Sequence, residues 1–476
     1  MGDTAIPFKI TNLLLHLITT FFVHSILLKL QFSRLASVVG TAIFALHPIH
    51  VTSIHFILGR TDLVAALFYF GTLALVLDWK NTPNIKQYNM VGATFVAALL
   101  SKEMSVTLCL MMFALVFYKQ QIKNARSFMS VLLTLSPFFA ITLIYTVIRI
   151  FMWSKLTGDV TGYTNYSIGH VISNYLTWFF ALIYPFDLYL AQDVLIENPV
   201  RFFSVVVFIS LLIFSGSLIV YGRNLFSICK SFWLWAAITW VCVTLLPICG
   251  GNPHRWYLYI PSFGLSLLFA AIVENMYKDK SRHRVQATHK GKQKILFAIT
   301  GFLLVIYLLE DFRLSRIWNK QSDVAMDFLA QIKTQEIYKK DHIYIANVPF
   351  GFKSAYLFTL TSLQEAIQYY FGQSPKITAV SYVNFDEDID ISVSTDNRKI
   401  RFNIVPDHYN FFLLSANERR FNNLEIQRKE DVLVTINAIA KNKKISDYSV
   451  SIPETIKSDV YYFDGKNIKP ADNIRP

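Results

Sequence analysis

The sequence predicts a polytopic α-helical membrane protein of about ten helices, followed by a C-terminal α/β domain outside the membrane. Three observations predict it. Only 16% of the 476 residues are charged and 53% are hydrophobic, whereas an ordinary soluble domain carries about a quarter charged residues. Apolar runs of spanning length crowd residues 1–312. From 313 to 476 charges are frequent, and no run is long enough to cross a bilayer. The chain therefore divides into a multispanning domain, 1–312, and a soluble domain, 313–476.

A crossing helix needs roughly 20 apolar residues, fewer where flanking groups snorkel or the bilayer thins. The candidate spans are 9–30, 33–46, 61–78, 89–101, 104–118, 127–152, 202–221, 231–248, 257–276 and 295–310. Of these, 33–46, 89–101 and 104–118 are short enough to be half-buried helices. The run 169–184 reads as an interfacial or re-entrant helix. The loop 278–294 holds seven Lys and Arg against one Asp, and cytoplasmic loops carry such an excess. Lys80, Lys86 and the stretch KQQIKNAR (119–126) point the same way. With these inside, the outer loops are HPIHVTSIHFILGR (47–60), SKE (101–103), 153–200 and CGGNPHRWY (249–257), and the C-terminal domain is outside too. The first span then runs from outside to inside. MGDTAIPF has no basic region of the secretory type, so the chain is expected to begin partway into its own architecture.

The outer domain alternates helical and strand-like patterns. Residues 316–338 and 354–371 have helical periodicity; 342–349, 376–384, 388–395, 398–405, 409–415 and 432–439 are strand-like. STDNRK (394–399) is a turn signal. No 34-residue helical repeat is visible. All four cysteines (Cys109, Cys229, Cys242, Cys249) lie in the membrane part, so no disulfide is expected outside.

Polar groups gather at the outer span ends: His47, His50, Arg60, Asp62, Lys102, Glu103, His254 and Arg255. Ionisable groups at membrane depth are costly and mark functional sites by default; snorkelling is the plain alternative for Arg60 and Lys102. Arg and Lys beside neutral His and Tyr suit a phosphate, held bidentately by guanidinium and as a point charge by ammonium. Near a bilayer that phosphate belongs to a lipid carrier. Pro48 between His47 and His50 favours a helix boundary there. A zinc site wants three or four ligands at set spacing, which His47, His50 and His55 do not supply, so no metal is expected. Tyr184, Tyr189 and Asp193 read either as an acceptor-side lining or as an aromatic belt. The net charge of +13 comes mostly from the inner loops and does not argue for nucleic acid.

Four segments carry a resemblance. KITNLLLHLITTFFVH, LHPIHVTSIHFILGRTDLVAALF, LLSKEMSVTLCLMMFALVFY and RWYLYIPSFGLSLLFA occur in this order over most of residues 8–276. They resemble segments of the GT-C superfamily of multispanning glycosyltransferases, above all the TMTC group of O-mannosyltransferase-like proteins and its bacterial relatives. His47, Pro48, His50, Gly59, Arg60, Asp62, Lys102, Glu103, Tyr259 and Pro261 match the pattern. The resemblance implies a polytopic enzyme that uses a polyprenyl-phosphate sugar on its non-cytoplasmic side. It implies transfer to a protein or glycan acceptor, and no cofactor. The donor pocket would be shaped by His47, His50, Arg60, Asp62, Lys102, Glu103, Arg255, Tyr257 and Tyr259. The tail resembles those of bacterial relatives, which places the protein in a bacterial inner membrane.

Three departures stand out. Thr52 occupies a position where the family has Glu. Trp256 occupies the family's Arg position, with Arg255 one earlier. GT-C enzymes carry their key acids in the first external loop, and this chain is expected to start after that loop. Asp62 and Glu103 remain as candidate bases, each also placed to pair with Lys102 or Arg60. His47, His50, Arg60 and Asp62 are expected to form one wall of the pocket. A catalytically inactive scaffold and a transporter of anionic or lipid-linked substrate are the other readings; the latter usually shows two similar halves, and none is visible here.

Overall fold

A computed structural model of the chain describes residues 6–79, 83–119, 125–153, 165–184, 231–251, 253–279, 286–352, 355–358, 362–372, 375–385, 390–396, 399–405, 411–412, 426–429, 432–439, 445–453 and 459–471, with isolated positions between 200 and 207. It divides into two compact units. One comprises Met1–Leu188 with Phe203–Phe312, the other Tyr189–Phe202 with Arg313–Pro476.

The first unit is helical: α1 (Ile6–Lys29), α2 (Arg34–Ala45), α3 (His50–His55), α4 (Arg60–Val76), α5 (Ile85–Ser101), α6 (Leu108–Lys119), α7 (Ala125–Trp153), α8 (Ile168–Ile183), α9 (Phe232–Leu245), α10 (Phe263–Asp279) and the first part of α11 (Gln286–Thr334). Helix α1 has the surface of a helix that could sit in a bilayer. Its exposed face is apolar: Ile6, Ile10, Leu14, Leu17 and Phe21 are each more than half exposed. Its polar residues Asn12, His16 and Thr19 are buried. That is the reverse of a soluble amphipathic helix. Helix α7 likewise exposes Leu143, Ile144, Ile148 and Phe151.

By length and composition three stretches can cross a membrane: Ile6–Lys29, Phe128–Met152 and Arg255–Asn275. Arg34–Ala45, Ile168–Ile183 and Phe232–Ile248 are apolar but shorter. The expected ten crossings thus reduce, among the described residues, to three of full length. Most of the candidate 202–221 lies outside the described residues. The basic segment 278–294 is not a single loop, because α10 runs to Asp279 and α11 starts at Gln286.

Two apolar clusters hold the unit. The larger includes Val23, Ile26, Phe44, Phe70, Phe95, Trp240 and Phe263. Close helix approach supports it: Ser266 Oγ on α10 donates to Gly40 O on α2 at 2.6 Å, and a Cβ on Gly40 would lie 2.7 Å from Ser266 O. Small residues permit such contacts between membrane helices. The smaller cluster joins Ile49, Met104, Trp178, Leu182, Leu245 and Tyr257. It matters for the site, because Ile49 adjoins His50 and Met104 adjoins Glu103 in the chain, and Tyr257 is itself a candidate.

The second unit carries the rest of α11, α12 (Ser362–Phe371) and three sheets built from β1 (His342–Ala346), β2 (Val348–Phe352), β3 (Ala355–Tyr356), β4 (Lys376–Ala379), β5 (Tyr382–Phe385), β6 (Asp390–Asp396), β7 (Lys399–Val405), β8 (Phe411–Phe412), β9 (Ile426–Lys429), β10 (Val432–Ile439), β11 (Ile445–Ser451), β12 (Asp459–Phe463) and β13 (Ile468–Pro470). The sheet orders are β13-β12-β1-β4, β6-β7-β11-β10-β9 and β3-β2-β5-β8. β1 is parallel to both β12 and β4. The expected helix over 354–371 is corrected: 355–356 form β3, and the helix begins only at Ser362. The helix expected over 316–338 is the end of α11, which stops at Thr334 and is followed by a 3-10 turn at Ile337–Lys339.

Candidate functional site

Two polar clusters form in the helical unit. The first is charged. Asp62 lies in the first turn of α4. Lys102 caps α5 with extended backbone (φ −161°, ψ 145°), and a 3-10 turn begins at Glu103. Extended backbone throws consecutive side chains to opposite sides. Lys102 accordingly reaches Asp62, with which it forms a hydrogen-bonded ion pair. Glu103 reaches the other way, and its Oε2 accepts from Arg149 Nη2 at 3.0 Å. Arg149 Nη1 also donates to Tyr145 OH, one turn back on α7, at 3.2 Å. The Lys102 ammonium lies 5.1 Å from the centre of the Tyr257 ring. All four charged side chains are largely withdrawn from solvent. Arg255, two residues before Tyr257, is buried and exerts its charge on His47.

The second cluster is neutral. His47 Nδ1 accepts from the Ile49 amide at 3.2 Å, so the proton sits on Nε2, which donates to Leu182 O at 3.0 Å. His16 Nε2 donates to Ala45 O at 3.0 Å, leaving Nδ1 to accept from Tyr259 OH at 2.5 Å. Ser262 Oγ donates to Tyr259 O at 2.7 Å and stands 3.4 Å from His50 Nε2. The rings of His50 and Tyr259 pack 4.3 Å apart, those of His47 and Tyr307 4.8 Å apart. The helix boundary expected at Pro48 is present: α2 ends at Ala45 and α3 starts at His50.

The expected single wall of His47, His50, Arg60 and Asp62 is corrected. Arg60 turns toward α1, where Nε donates to Asn12 Oδ1 at 3.1 Å and Nη2 to Phe8 O at 3.4 Å, and its guanidinium lies 5.2 Å from the Phe8 ring centre. Asn12 in turn donates to Ile54 O at 3.1 Å. Asp62 goes to Lys102, and Glu103 goes to Arg149 rather than to Lys102 or Arg60. Gly59 fixes the turn before Arg60: a Cβ there would lie 2.6 Å from Ser53 O. Tyr184 is buried, with its ring on Phe180 at 4.6 Å; Tyr189 and Asp193 lie outside the described residues.

Four partners escaped the sequence reading: Asn12, His16, Arg149 and Tyr307. Signals for three were present. Asn12 and His16 are four apart in NLLLH, hence on one helix face. Arg149 is a lone guanidinium within the apolar stretch Phe128–Met152, which marks it by the cost of placing it there.

The architecture and these clusters define a class: a mostly helical unit, with three helices long and apolar enough to cross a membrane, that gathers ion pairs and neutral histidines where its helices end. Two curated proteins of Drosophila melanogaster are similar to it. Protein O-mannosyl-transferase Tmtc2 is 34% identical over 106 residues, 21% of this chain and 11% of that protein. Protein O-mannosyl-transferase Tmtc1 is 28% identical over 113 residues, 23% and 13% respectively. The chain thus spans about a tenth of the length of these relatives. No family model and no solved structure matches it. The similarity supports a glycosyltransferase-like function in coarse terms. The relatives are animal proteins, so the expected bacterial membrane draws no support from them.

Proposed function

We propose that the chain binds a polyprenyl-phosphate-linked sugar at the non-cytoplasmic ends of its helices and transfers the sugar to a protein or glycan hydroxyl. One observation carries this reading: two adjacent residues, Lys102 and Glu103, anchor two buried ion pairs, and Tyr257 lies against Lys102. A buried ion pair contributes little net stability, because desolvation offsets the Coulomb attraction. Four such groups at the ends of apolar helices therefore call for another reason to exist. Guanidinium and ammonium groups at these helix ends suit a phosphate, the first holding it bidentately and the second as a point charge. During transfer the phosphate leaving group gains charge, and fixed cations at its final position stabilise it. The names of the similar fly proteins make mannose the first sugar to test.

The pairing of Asp62 and Glu103 with cations also favours a second reading, a protein of the same fold that binds the lipid carrier without catalysis. One experiment addresses both. Full-length protein in nanodiscs is titrated with polyprenyl-phosphate mannose, then assayed for transfer to a Ser/Thr peptide. Binding that weakens at least tenfold in Lys102→Gln and in Arg255→Gln supports the site. Unchanged binding in both variants rejects it. Binding without transfer by the unaltered chain selects the second reading.

A further inference from the structure

The proposed donor site depends on the stretch from Cys249 to Leu258, which lies between α9 and α10. Its second half carries Arg255 and Tyr257. Arg255 is buried, and the Tyr257 ring takes the Lys102 ammonium at 5.1 Å. We infer that Asn174 on α8 is a positioning residue of this site: it holds the first half of the stretch and thereby sets where Arg255 and Tyr257 stand. The assignment rests on the donor-binding reading above.

Helix α8 turns one face inward. Asn174, Trp178 and Leu182 recur one turn apart and are buried, whereas Ile168, Ile172 and Leu176 on the other side are more than half exposed. Each inward residue meets a different part of the site. Leu182 O accepts from His47 Nε2 at 3.0 Å. Trp178 packs in the apolar cluster that holds Ile49 and Tyr257. Asn174 meets the loop: its Nδ2 donates to Gly251 O at 2.7 Å and to Cys249 O at 3.0 Å. A side-chain amide has two hydrogens to give, and both go to the loop. The carbonyl between, Gly250 O, accepts from the Asn165 amide just before α8 at 2.8 Å. His170 Nε2, one turn before Asn174, stands 3.3 Å from Gly251 O. Three consecutive loop carbonyls are thus held from the α8 side.

The fit is close and is passed on along the chain. A Cβ on Gly250 would lie 2.5 Å from Tyr166 Cε1, so only glycine lets the loop come this near. Gly250 and Gly251 are buried, and buried backbone carbonyls need donors. An apolar side chain in place of Asn174 would strip two of them, and the loop would shift to find others. Gly251 lies four residues before Arg255 and six before Tyr257, and Pro253 between them has a fixed φ. So short a stretch transmits a shift at Gly251 to the guanidinium and the ring.

The test reads the loop and the donor site separately, in full-length protein in nanodiscs. The half-buried Cys249 thiol reports the loop, through its rate of alkylation by a maleimide followed by peptide mass spectrometry. Polyprenyl-phosphate mannose reports the donor site. Asn174→Leu should speed Cys249 alkylation and weaken donor affinity, each about tenfold. Asn174→Gln keeps the donor group and should recover part of both. Gly250→Ala, which pushes the loop off Tyr166, should act in the same direction as Asn174→Leu. In the double variant Asn174→Leu/Arg255→Gln, donor affinity should fall at most about twofold below that of Arg255→Gln alone, because residues acting through one another are not additive. Unchanged Cys249 alkylation in both Asn174→Leu and Gly250→Ala overturns the hold on the loop. Faster alkylation with unaltered donor affinity overturns the positioning role. Losses that multiply in the double variant make Asn174 structural only and overturn it as well. Absence of donor binding by the unaltered chain overturns the donor reading, and Cys249 alkylation then still decides whether Asn174 holds the loop.

Discussion

Each of the two units buries a neutral polar cluster, and the helical unit adds a charged one: Asp62 with Lys102, Glu103 with Arg149. In the strand unit the network described is neutral: Asn347, Ser381 and Tyr448 are each 0% exposed. The Asn347 amide donates to Ser381 Oγ at 2.8 Å. Tyr448 OH donates to Asn347 Oδ1, so the 2.8 Å contact between Ser381 and Tyr448 must run from the serine hydroxyl. Asn347 Nδ2 completes the set by donating to Phe463 O at 3.3 Å. Asn347 joins β1 to β2, Ser381 joins β4 to β5, and Tyr448 lies in β11, so the network ties all three sheets together. Asn347 adopts a left-handed conformation (φ 62°), which asparagine tolerates better than most residues. A network that satisfies its own neutral groups acts as a joint. A network of paired charges keeps groups for which an anion can compete, and that difference separates the fold of one unit from the proposed chemistry of the other.

The largest effect should come from breaking one charged pair. Lys102→Ala leaves Asp62 buried alone and should cost about 3–5 kcal/mol, read as loss of thermal stability in detergent. The double variant Lys102→Met/Asp62→Leu should recover most of that stability while donor binding is lost. A double variant that stays as unstable as the single would make the pair structural and erase the contrast with the strand unit.

A smaller effect is expected in the joint. Tyr448→Phe removes one hydroxyl and leaves Asn347 Oδ1 and the Ser381 hydroxyl each short of a partner, at about 1–3 kcal/mol. Hydrogen exchange should accelerate at the β1, β2 and β11 amides, with donor binding unaltered. Weakened donor binding in this variant would show that the two networks are not separate in function.

The smallest effect is a pH dependence confined to the strand unit. Partial burial pushes the Asp447 carboxyl up, but hydrogen bonds from Arg401 and Asn437 and the Arg401 charge outweigh it, and the net shift is downward. A carboxyl lowered on folding contributes stability above its unfolded value, near 3.9, and loses that contribution as pH falls through the lower folded value. Urea unfolding followed through the strand-unit amides should therefore lose stability below about pH 4, and Asp447→Asn should flatten that acid limb. The pair is largely exposed on the Arg401 side, so solvent screening keeps the effect slight.

Much of the fold was legible because one helix or strand writes its own pattern. Apolar runs located nearly all the described helices, and alternation located β6, β7 and β10. The pattern failed where it was short or two-faced. SAYLF suits either period, and only pairing with Gly351 and Phe352 makes Ala355–Tyr356 a strand. β11 hides its alternation behind Ser and Asp; its ladder is supplied by β7 and β10, since strand preference depends on neighbours more than on the residue itself. The site was legible to the same degree. Lys102, Glu103 and Arg255 stood out as charges at helix ends, whereas Arg149 did not, because it lies far along the chain from Glu103, the group it meets.

By itself the sequence determined the solvent of each part, since the balance of apolar and charged residues is a property of composition and needs no partner. It also determined which residues share a helix face, because that follows from a period of 3.6. Only the tertiary structure decided that Arg149 takes Glu103, that Arg60 turns to Asn12 and away from Asp62, and that α11 lays Tyr307 against His47. A helical period fixes faces within an element and says nothing of which faces meet. That choice falls to the packing of whole helices, and with it the pairing of every buried charge.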